Sequence, residues 1–110
     1  MLIYKIFRSA EYSAFTNDGT TDGAPVDRMD GYIHFSTAEQ VAETARRHFA
    51  GEGDLILLAV EAEGQTDLKW EVSRGGAAFP HLYRTLRSSD VLWAKPLPFS
   101  GGAHDFTGLL

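Results

Sequence analysis

The side chains best suited to chemistry stand in the stretch "DGYIHFSTAEQ", residues 30–40. If it is extended, His34 and Ser36 share one face and Ile33 and Phe35 share the other. An imidazole beside a hydroxyl can bind a ribose hydroxyl or a phosphate, above all where a helix begins and leaves backbone amides unpaired. The structural alternative is that Ser36 only caps a helix and His34 bonds a carbonyl. Spacing alone leaves both interpretations open.

A carboxylate stands in a later strand pattern, "LKWEV" at residues 68–72. Alternation puts Glu71 with Lys69 on one face and Trp70 with Val72 on the other, which we expect to be buried. Such a carboxylate could orient a sugar hydroxyl or stabilise a cationic transition state, as in glycosyl chemistry. The simpler alternative is a solvated charged face.

The stretch "FPHLY", residues 79–83, combines two rings with an imidazole. In extended form, Phe79, His81 and Tyr83 lie on one side and are suited to stacking on a flat ring and donating hydrogen bonds. A core edge with polar tips explains the same pattern. Pro80 favours an edge strand or a loop, where ligands are met more often.

Several common catalytic and metal-binding frameworks are absent from the sequence. It has no Cys, which excludes thiol nucleophiles and Cys-based zinc sites, and it has no GxSxG, Walker or GxGxxG motif. The four histidines lack a ligand spacing such as HExxH, so we expect no metal: His34, His48, His81 and His104. The run "DGTTDG" at 18–23 imitates a calcium loop, but Met29 stands where a bidentate Glu is required.

The charge balance narrows the class of partner. Ten Lys and Arg against 15 Asp and Glu give a net charge of -5, and the dense basic group "RRH" at 46–48 suits a helix C-terminus. We therefore expect no groove binding of DNA or RNA, although a single small anion stays open. No apolar run is long enough to cross a bilayer, and "LIYKIF" lacks a cleavage site, so a cytoplasmic location is expected.

Strand patterns dominate, and they have to position the groups named above. We predict strands at 2–7, 31–36, 54–63, 68–72 and 90–99, a helix that begins at Ser9, and a second helix that begins at Ser36. Residues 16–31 are predicted to be an irregular loop, long enough to act as a lid, and residues 100–110 an extended tail. The result is one domain over 1–110: α+β, with a mainly antiparallel sheet and two helices in the N-terminal half.

The order and spacing of "DGYIHFSTAEQ", "DLILLAVE", "LKWE" and "FPHLY" resemble a small bacterial family catalogued as domain of unknown function 952. The likeness runs from "IYKI" to "LPF", and typical members read "DGFIHLS", "DLVLL", "KWE" and "FPHLYG". This sequence differs in having Arg84 where glycine is usual and a longer polar loop before Asp30.

That family in turn is similar to a remote branch of the ADP-ribosyltransferase superfamily, whose fold is a split pair of small antiparallel sheets with NAD in the cleft. The resemblance implies that His34 holds the adenosine-side ribose with support from Ser36. It also implies an aromatic ring stacked on nicotinamide, for which Tyr83 is the candidate. A late glutamate that fixes the ribose hydroxyl is implied as well, for which Glu71 is the candidate.

Two features depart from the superfamily pattern. Glu71 precedes Tyr83, whereas the superfamily has the aromatic first, and Phe35 replaces the glycine of the His motif. Members without the glutamate use Arg or His on a phosphorylated substrate, which would suit His81 with Arg46 or Arg74.

The leading hypothesis is a cleft that binds NAD or an ADP-ribosyl or 2'-phosphate ligand and, if active, transfers or cleaves at the nicotinamide glycosidic bond. His34, Glu71 and His81 are the predicted catalytic residues. His34, Ser36 and Tyr83 are the predicted ligand-binding residues. The alternative is a ligand sensor or protein-interaction module on the same fold, without turnover.

Overall fold

The computed structural model describes residues 1–110, apart from the side chain of Arg74. Three α-helices form: α1 (Ser9–Asp18), α2 (Pro25–Asp30) and α3 (Val41–His48). Short 3-10 turns follow at Arg74–Gly76 and Ser88–Asp90. The strands are β1 (Leu2–Arg8), β2 (Thr20–Thr21), β3 (Ile33–His34), β4 (Ser36–Thr37), β5 (Leu55–Glu61), β6 (Leu68–Val72), β7 (Ala78–Leu82), β8 (Leu86–Arg87), β9 (Val91–Leu97), β10 (Phe99–Ser100) and β11 (Ala103–His104).

The larger sheet has four antiparallel strands in the order β4-β1-β5-β9. Strands β1 and β5 are apolar on both faces because both faces are covered. One face packs on α1 and the smaller sheet, with Phe7 and Leu58 in that core, and the other packs on α3, with Ile6 and Leu57. The predicted α+β class with mainly antiparallel sheets is confirmed.

The smaller sheet has three antiparallel strands in the order β3-β7-β6. Strand β7 lies in the middle, so the edge position predicted from Pro80 is wrong. The sheet accommodates Pro80 because the chain has passed the end of β3 there, and the Pro80 carbonyl accepts from the Phe35 N–H at 3.0 Å.

One short segment connects the two sheets. Ile33 and His34 pair with β7 in the smaller sheet, and only Phe35 separates them from Ser36 and Thr37, which pair with β1 in the larger sheet. Ile33 and Phe35 are buried as predicted. The predicted helix start at Ser36 is wrong, because Ser36 belongs to β4 and α3 begins at Val41.

Residues 16–31 were expected to be an irregular lid, and that prediction is wrong. Helix α1 continues to Asp18, β2 pairs with β8, and α2 begins at Pro25 and ends against Gly31. Pro25 starts α2 easily because the first helical position needs no N–H, and Asp27 two residues on is buried. The segment is therefore a packed part of the fold, and it raises the number of α-helices from the predicted two to three.

Two further predictions are corrected. The tail is not extended: β10 and β11 form a hairpin, and Phe106 and Leu109 pack on the core beside α3. In β6, Trp70 and Val72 are 45% and 74% exposed, whereas Glu71 lies on the other face, opposite Phe79. The expected burial of the Trp70 face is wrong because no element of the fold covers that part of the small sheet among the described residues.

None of the helices in the described part of the chain has the length and apolar character needed to cross a membrane.

Candidate functional site

A cleft of about 580 Å³ opens where the two sheets meet at the Phe35 segment. Its walls come from β1, the start of α2, β3 and β4, the inner side of α3, and β7. A volume of this size falls in the range of small-molecule sites, about 300–1,000 Å³. His34, Ser36 and His81 all line it.

His34 is held by two carboxylates of α2. Its Nδ1 lies 2.6 Å from Oδ1 of Asp27, and its Nε2 lies 3.0 Å from Oδ2 of Asp30. Asp27 is buried, whereas Asp30 is exposed at the end of the helix. The Asp27 contact fixes the orientation of the imidazole ring. A ligand that replaced Asp30 would therefore bind at Nε2.

Asp27 is the anchor of this arrangement. Its Oδ2 accepts from Nζ of Lys5 at 2.6 Å and from the Ala24 N–H at 2.7 Å, and its Oδ1 also accepts from the His34 N–H at 3.0 Å. Burial by itself would raise the pKa of Asp27, but the hydrogen bond from His34 and the charge of Lys5 outweigh it and lower that pKa. Burial lowers the pKa of Lys5, a decrease that the Asp27 carboxylate opposes.

Tyr32 joins the histidines into one ring cluster. Its ring centroid lies 4.6 Å from that of His34, 4.3 Å from His81 and 5.1 Å from Tyr83. Burial raises the pKa of Tyr32, and the negative charges of Asp30 and Glu71 raise it further. The cluster therefore presents phenol and imidazole rings beside a cavity, a surface suited to flat rings.

Glu71 holds the second histidine. His81 Nδ1 lies 2.8 Å from Oε1 of Glu71, and the Tyr83 hydroxyl donates to the same oxygen at 2.6 Å. The hydrogen bond from Tyr83 makes the largest contribution to lowering the pKa of Glu71, and the bond with His81 lowers it further. In return, the bond to Glu71 raises the pKa of Tyr83 to about 12. Lys69 lies over the Tyr83 ring at 4.8 Å.

Ser36 lies on the wall formed by β1 and α3. Its hydroxyl is 2.8 Å from that of Thr44 in α3, and Thr44 also donates to the Gln40 carbonyl. The amide-rich helix start that was predicted beside Ser36 is not there, because α3 begins five residues later. Ser36 offers a ligand one hydroxyl and no helix N-terminus.

The charge of the cleft differs from that of the chain. Its charged lining residues are Lys5, Arg8 and Asp30, joined by three histidines: His34, His48 and His81. Arg8 is paired with Glu52 at the rim, 2.8 Å from Nε. Lys5 is likewise paired with Asp27, 2.6 Å from Nζ, so both cations of the lining are held by carboxylates.

The structure brings four of the five predicted site residues into one cluster: His34, Glu71, His81 and Tyr83. Ser36 lines the cleft beside β1 and α3, whereas Glu71 and Tyr83 are not among the described residues that line it. Arg46, the suggested anion ligand, pairs instead with Glu43 on the exposed face of α3, and the side chain of Arg74 lies outside the described part of the structure.

Sequence reasoning missed Asp27, Lys5 and Tyr32 as site residues. A signal existed for Lys5, because a lone ammonium in the apolar run "LIYKIF" needs a buried partner. That partner, Asp27, lies within residues 16–31, for which the sequence predicts an irregular loop. Among the described residues, no group of three or more His, Asp or Glu side chains is arranged to hold a metal ion.

The arrangement has the elements of two positioned acid–base pairs. Asp27 with His34 and Glu71 with His81 each place a carboxylate on an imidazole Nδ1, which orients the ring for proton transfer or for binding a hydroxyl through Nε2. The two imidazoles are 5.2 Å apart between centroids, close enough to contact one small ligand together.

Comparison with known proteins identifies one family and similar solved structures. The sequence profile of the family described as Protein of unknown function (DUF952) matches residues 6–94. The crystal structure of protein CC0527 from Caulobacter crescentus is 49% identical, covers 97% of this chain and 96% of that chain, and superposes with a TM-score of 0.92. Its solution NMR structure, at 49% identity, covers 99% and 96% with a TM-score of 0.88. No curated protein matches the chain.

Proposed function

From the premise that this chain belongs to the family Protein of unknown function (DUF952), we propose that its cleft binds a nucleotide of the ADP-ribosyl class, with NAD as the first candidate. The observation that carries the proposal is a cavity of about 580 Å³ lined by Tyr32, His34 and His81, whose ring cluster continues outside the lining to Tyr83. Such a ligand offers a flat ring, ribose hydroxyls and phosphates, and the cleft holds a matching group for each.

The rings and hydroxyl-binding groups support the sugar and base part of the ligand. Tyr83 is 39% exposed and packs on Tyr32 with 34° between the ring planes, so a nicotinamide ring can stack on it if it displaces Lys69, which lies over the ring at 4.8 Å. His34 Nε2 is held only by the exposed carboxylate of Asp30, which a ribose hydroxyl can replace. Ser36 provides a hydroxyl from the wall formed by β1 and α3.

The charges support the phosphate part. Arg8, a guanidinium at the rim that is 45% exposed and paired with Glu52 at 2.8 Å, supplies a charge for which a phosphate can compete with that carboxylate. A 2'-phosphorylated nucleotide presents the same groups, so it belongs to the same ligand class.

The proposed chemistry is cleavage at the nicotinamide glycosidic bond. The bond between the ribose carbon and the ring nitrogen breaks, its electron pair leaves with nicotinamide, and water or an acceptor hydroxyl adds to that carbon. In this step Glu71 stabilises the positive charge on the ribose, and His81 or His34 accepts the proton of the attacking group. The low pKa of Glu71 supports this role, because the carboxylate stays ionised at neutral pH.

A ligand sensor without turnover is the second candidate, and one observation favours it. The three carboxylates of the cluster are already engaged: Asp27 and Asp30 with His34, and Glu71 with His81 and Tyr83. Groups held this firmly suit selective binding, and turnover would require a ligand to replace some of these bonds.

Calorimetry and thermal unfolding with NAD, ADP-ribose and a 2'-phosphorylated nucleotide test the proposal. Ligand at about 100 times its Kd stabilises the fold by about 2.7 kcal/mol, which raises the Tm of a domain of this size by about 10 °C. His34→Ala removes the binding, whereas the matched variant His104→Ala, a histidine bonded to the Glu52 carbonyl away from the cleft, retains it.

The two candidate functions are separated by product analysis. Release of nicotinamide that is lost in Glu71→Gln indicates the transferase or hydrolase. Binding without release indicates the sensor. Absence of both heat and thermal shift with all three ligands refutes the proposal.

A further inference from the structure

We infer that the outer edge of β6 is a self-pairing surface through which two copies of this chain form a symmetric dimer. The surface, here named the β6 edge, consists of the outward backbone groups and the side chains of Leu68–Val72. The inference rests on the backbone pairing, the exposure and the charge order of this strand, and it is independent of the proposed function.

The backbone of β6 is open along this edge at Trp70 and Val72, whereas the Leu68 N–H bonds the Gln65 carbonyl at 3.3 Å. The sheet order β3-β7-β6 leaves β6 with one neighbour. Backbone bonds from Tyr83 N–H to the Asp67 carbonyl (2.8 Å) and from Ser73 N–H to the Ala77 carbonyl (2.9 Å) show that odd-numbered positions face β7. Because backbone directions alternate along a strand, Trp70 and Val72 direct their N–H and C=O groups away from the sheet.

The β6 edge carries two apolar side chains that are exposed in the single chain. Trp70 and Val72 lie on the same face of the strand, 45% and 74% exposed. An unprotected edge strand that carries exposed apolar side chains favours pairing with another strand. The edge strand of the larger sheet, β9, contains Lys95 and Pro96, residues that oppose such pairing.

The order of charges identifies a second copy as the partner. The sequence "LKWEV" reads apolar, basic, aromatic, acidic, apolar. When two copies pair antiparallel with Trp70 opposite Trp70, each Lys69 lies opposite a Glu71 and each Leu68 opposite a Val72. Both ion pairs form at once, as a twofold axis requires, and cross-strand pairs of opposite charge stabilise a sheet.

The pairing would join the small sheets of two molecules into one six-stranded sheet. Trp70 and Trp70 meet on one face, while the Lys69 and Glu71 pairs lie on the cleft face, beside Tyr83. An interface formed by one strand from each copy is small, below about 1,200 Å² in total, so the dimer is weak and depends on concentration.

Sedimentation and cross-linking test the inference on the full chain. We expect the mass to rise from monomer to dimer as the concentration increases, as a small interface requires. Lys69→Glu and Glu71→Lys each weaken self-association about tenfold because like charges then face each other, and an equimolar mixture of the two variants restores it as a heterodimer. Val72→Pro removes an outward N–H that β7 does not use, so it yields a folded monomer.

An introduced thiol gives an independent measurement, because the chain has no cysteine. Opposed residues of a bonded antiparallel pair lie about 5.5 Å apart between Cα atoms, a spacing that suits a disulfide. Trp70→Cys therefore forms a covalent dimer on mild oxidation, whereas the matched variant Leu92→Cys, on the exposed side of β9, does not. A monomeric mass at all concentrations, or equal cross-linking of both variants, overturns the inference.

Discussion

Replacing Asp27 with Asn tests the central feature of the site, the buried carboxylate that joins Lys5 to His34. The substitution keeps the shape of the side chain and removes its charge. Lys5, with a side chain only 7% exposed, then has an uncompensated ammonium in the core. The new amide also places N–H groups where Asp27 accepts bonds from Ala24 and His34.

We expect Asp27→Asn to lower the free energy of unfolding more than Lys5→Met does. Breaking a buried ion pair from one side costs about 3–5 kcal/mol, so Asp27→Asn should lose a large part of the stability of a domain this size, about 5–15 kcal/mol. Lys5→Met leaves Asp27 with the donors from Ala24 and His34, and the loss is then close to one hydrogen bond to a charged group, about 1.5–3 kcal/mol. The double variant should be less destabilised than the sum of the two by about 1 kcal/mol or more.

Urea unfolding followed by tryptophan fluorescence measures all three variants, with Asp22→Asn as the exposed control in the same segment. The pH dependence gives a second readout. Because the folded pKa of Asp27 lies below its ordinary value of 3.8, its contribution is present above that value and is lost as the pH falls through the folded pKa. Asp27→Asn should remove this part of the acid dependence. A cost below about 1 kcal/mol, or equal costs for Asp27→Asn and Lys5→Met, would refute the reasoning.

Three other outcomes follow from the structure. In an ultraviolet pH titration, Tyr83→Phe should remove the component that titrates near pH 12, and Glu71→Gln should move it down toward the ordinary value of 10.0; a Tyr83 component that titrates near 10 in the unmodified chain would contradict the Glu71 contact. Gly31→Ala should cost about 1–2 kcal/mol, because Gly31 has a φ of 86°, whereas Gly53→Ala, with no positive φ and equally open space, should cost much less. Ser36→Ala should cost about 1 kcal/mol in thermal unfolding, since Thr44 keeps its bond to Gln40; a loss above about 3 kcal/mol would show that Ser36 has a larger structural role than one hydroxyl contact.

The sequence was sufficient to predict the central strands and the fold class. Strands β1, β5 and β9 lie close to their predicted positions because long apolar runs have few other conformations available in a small domain. Burial of Ile33 and Phe35 followed from simple alternation. The clustering of His34, His81, Tyr83 and Glu71 depends instead on the pairing of β3 with β7 and of β7 with β6, which local pattern does not specify.

The errors have physical causes in particular residues. "STAE" has the composition of a capping box, but Ser36 and Thr37 pair with β1, and this tertiary pairing displaces the helix start to Val41. The Gly-rich run before Asp30 has weak helical character. Helix α2 forms there because the Asp27 carboxylate makes four polar contacts with Lys5, Ala24 and His34. In β6, Leu68 packs on the core while Trp70 and Val72 on the same face extend beyond it and stay exposed, and Glu71 on the other face bonds His81 and Tyr83.

The segment from Ile33 to Thr37 also limits how the chain length can vary. Two residues belong to one sheet and two to the other, and Phe35 alone connects them. An inserted or deleted residue here cannot be absorbed as loop, because a shift of one position turns every following side chain to the opposite face. The shift would point either His34 or Ser36 away from the cleft and expose Phe35. Length changes are therefore expected to be tolerated in turns such as residues 62–67 and to be rejected in this segment, whatever residue is added.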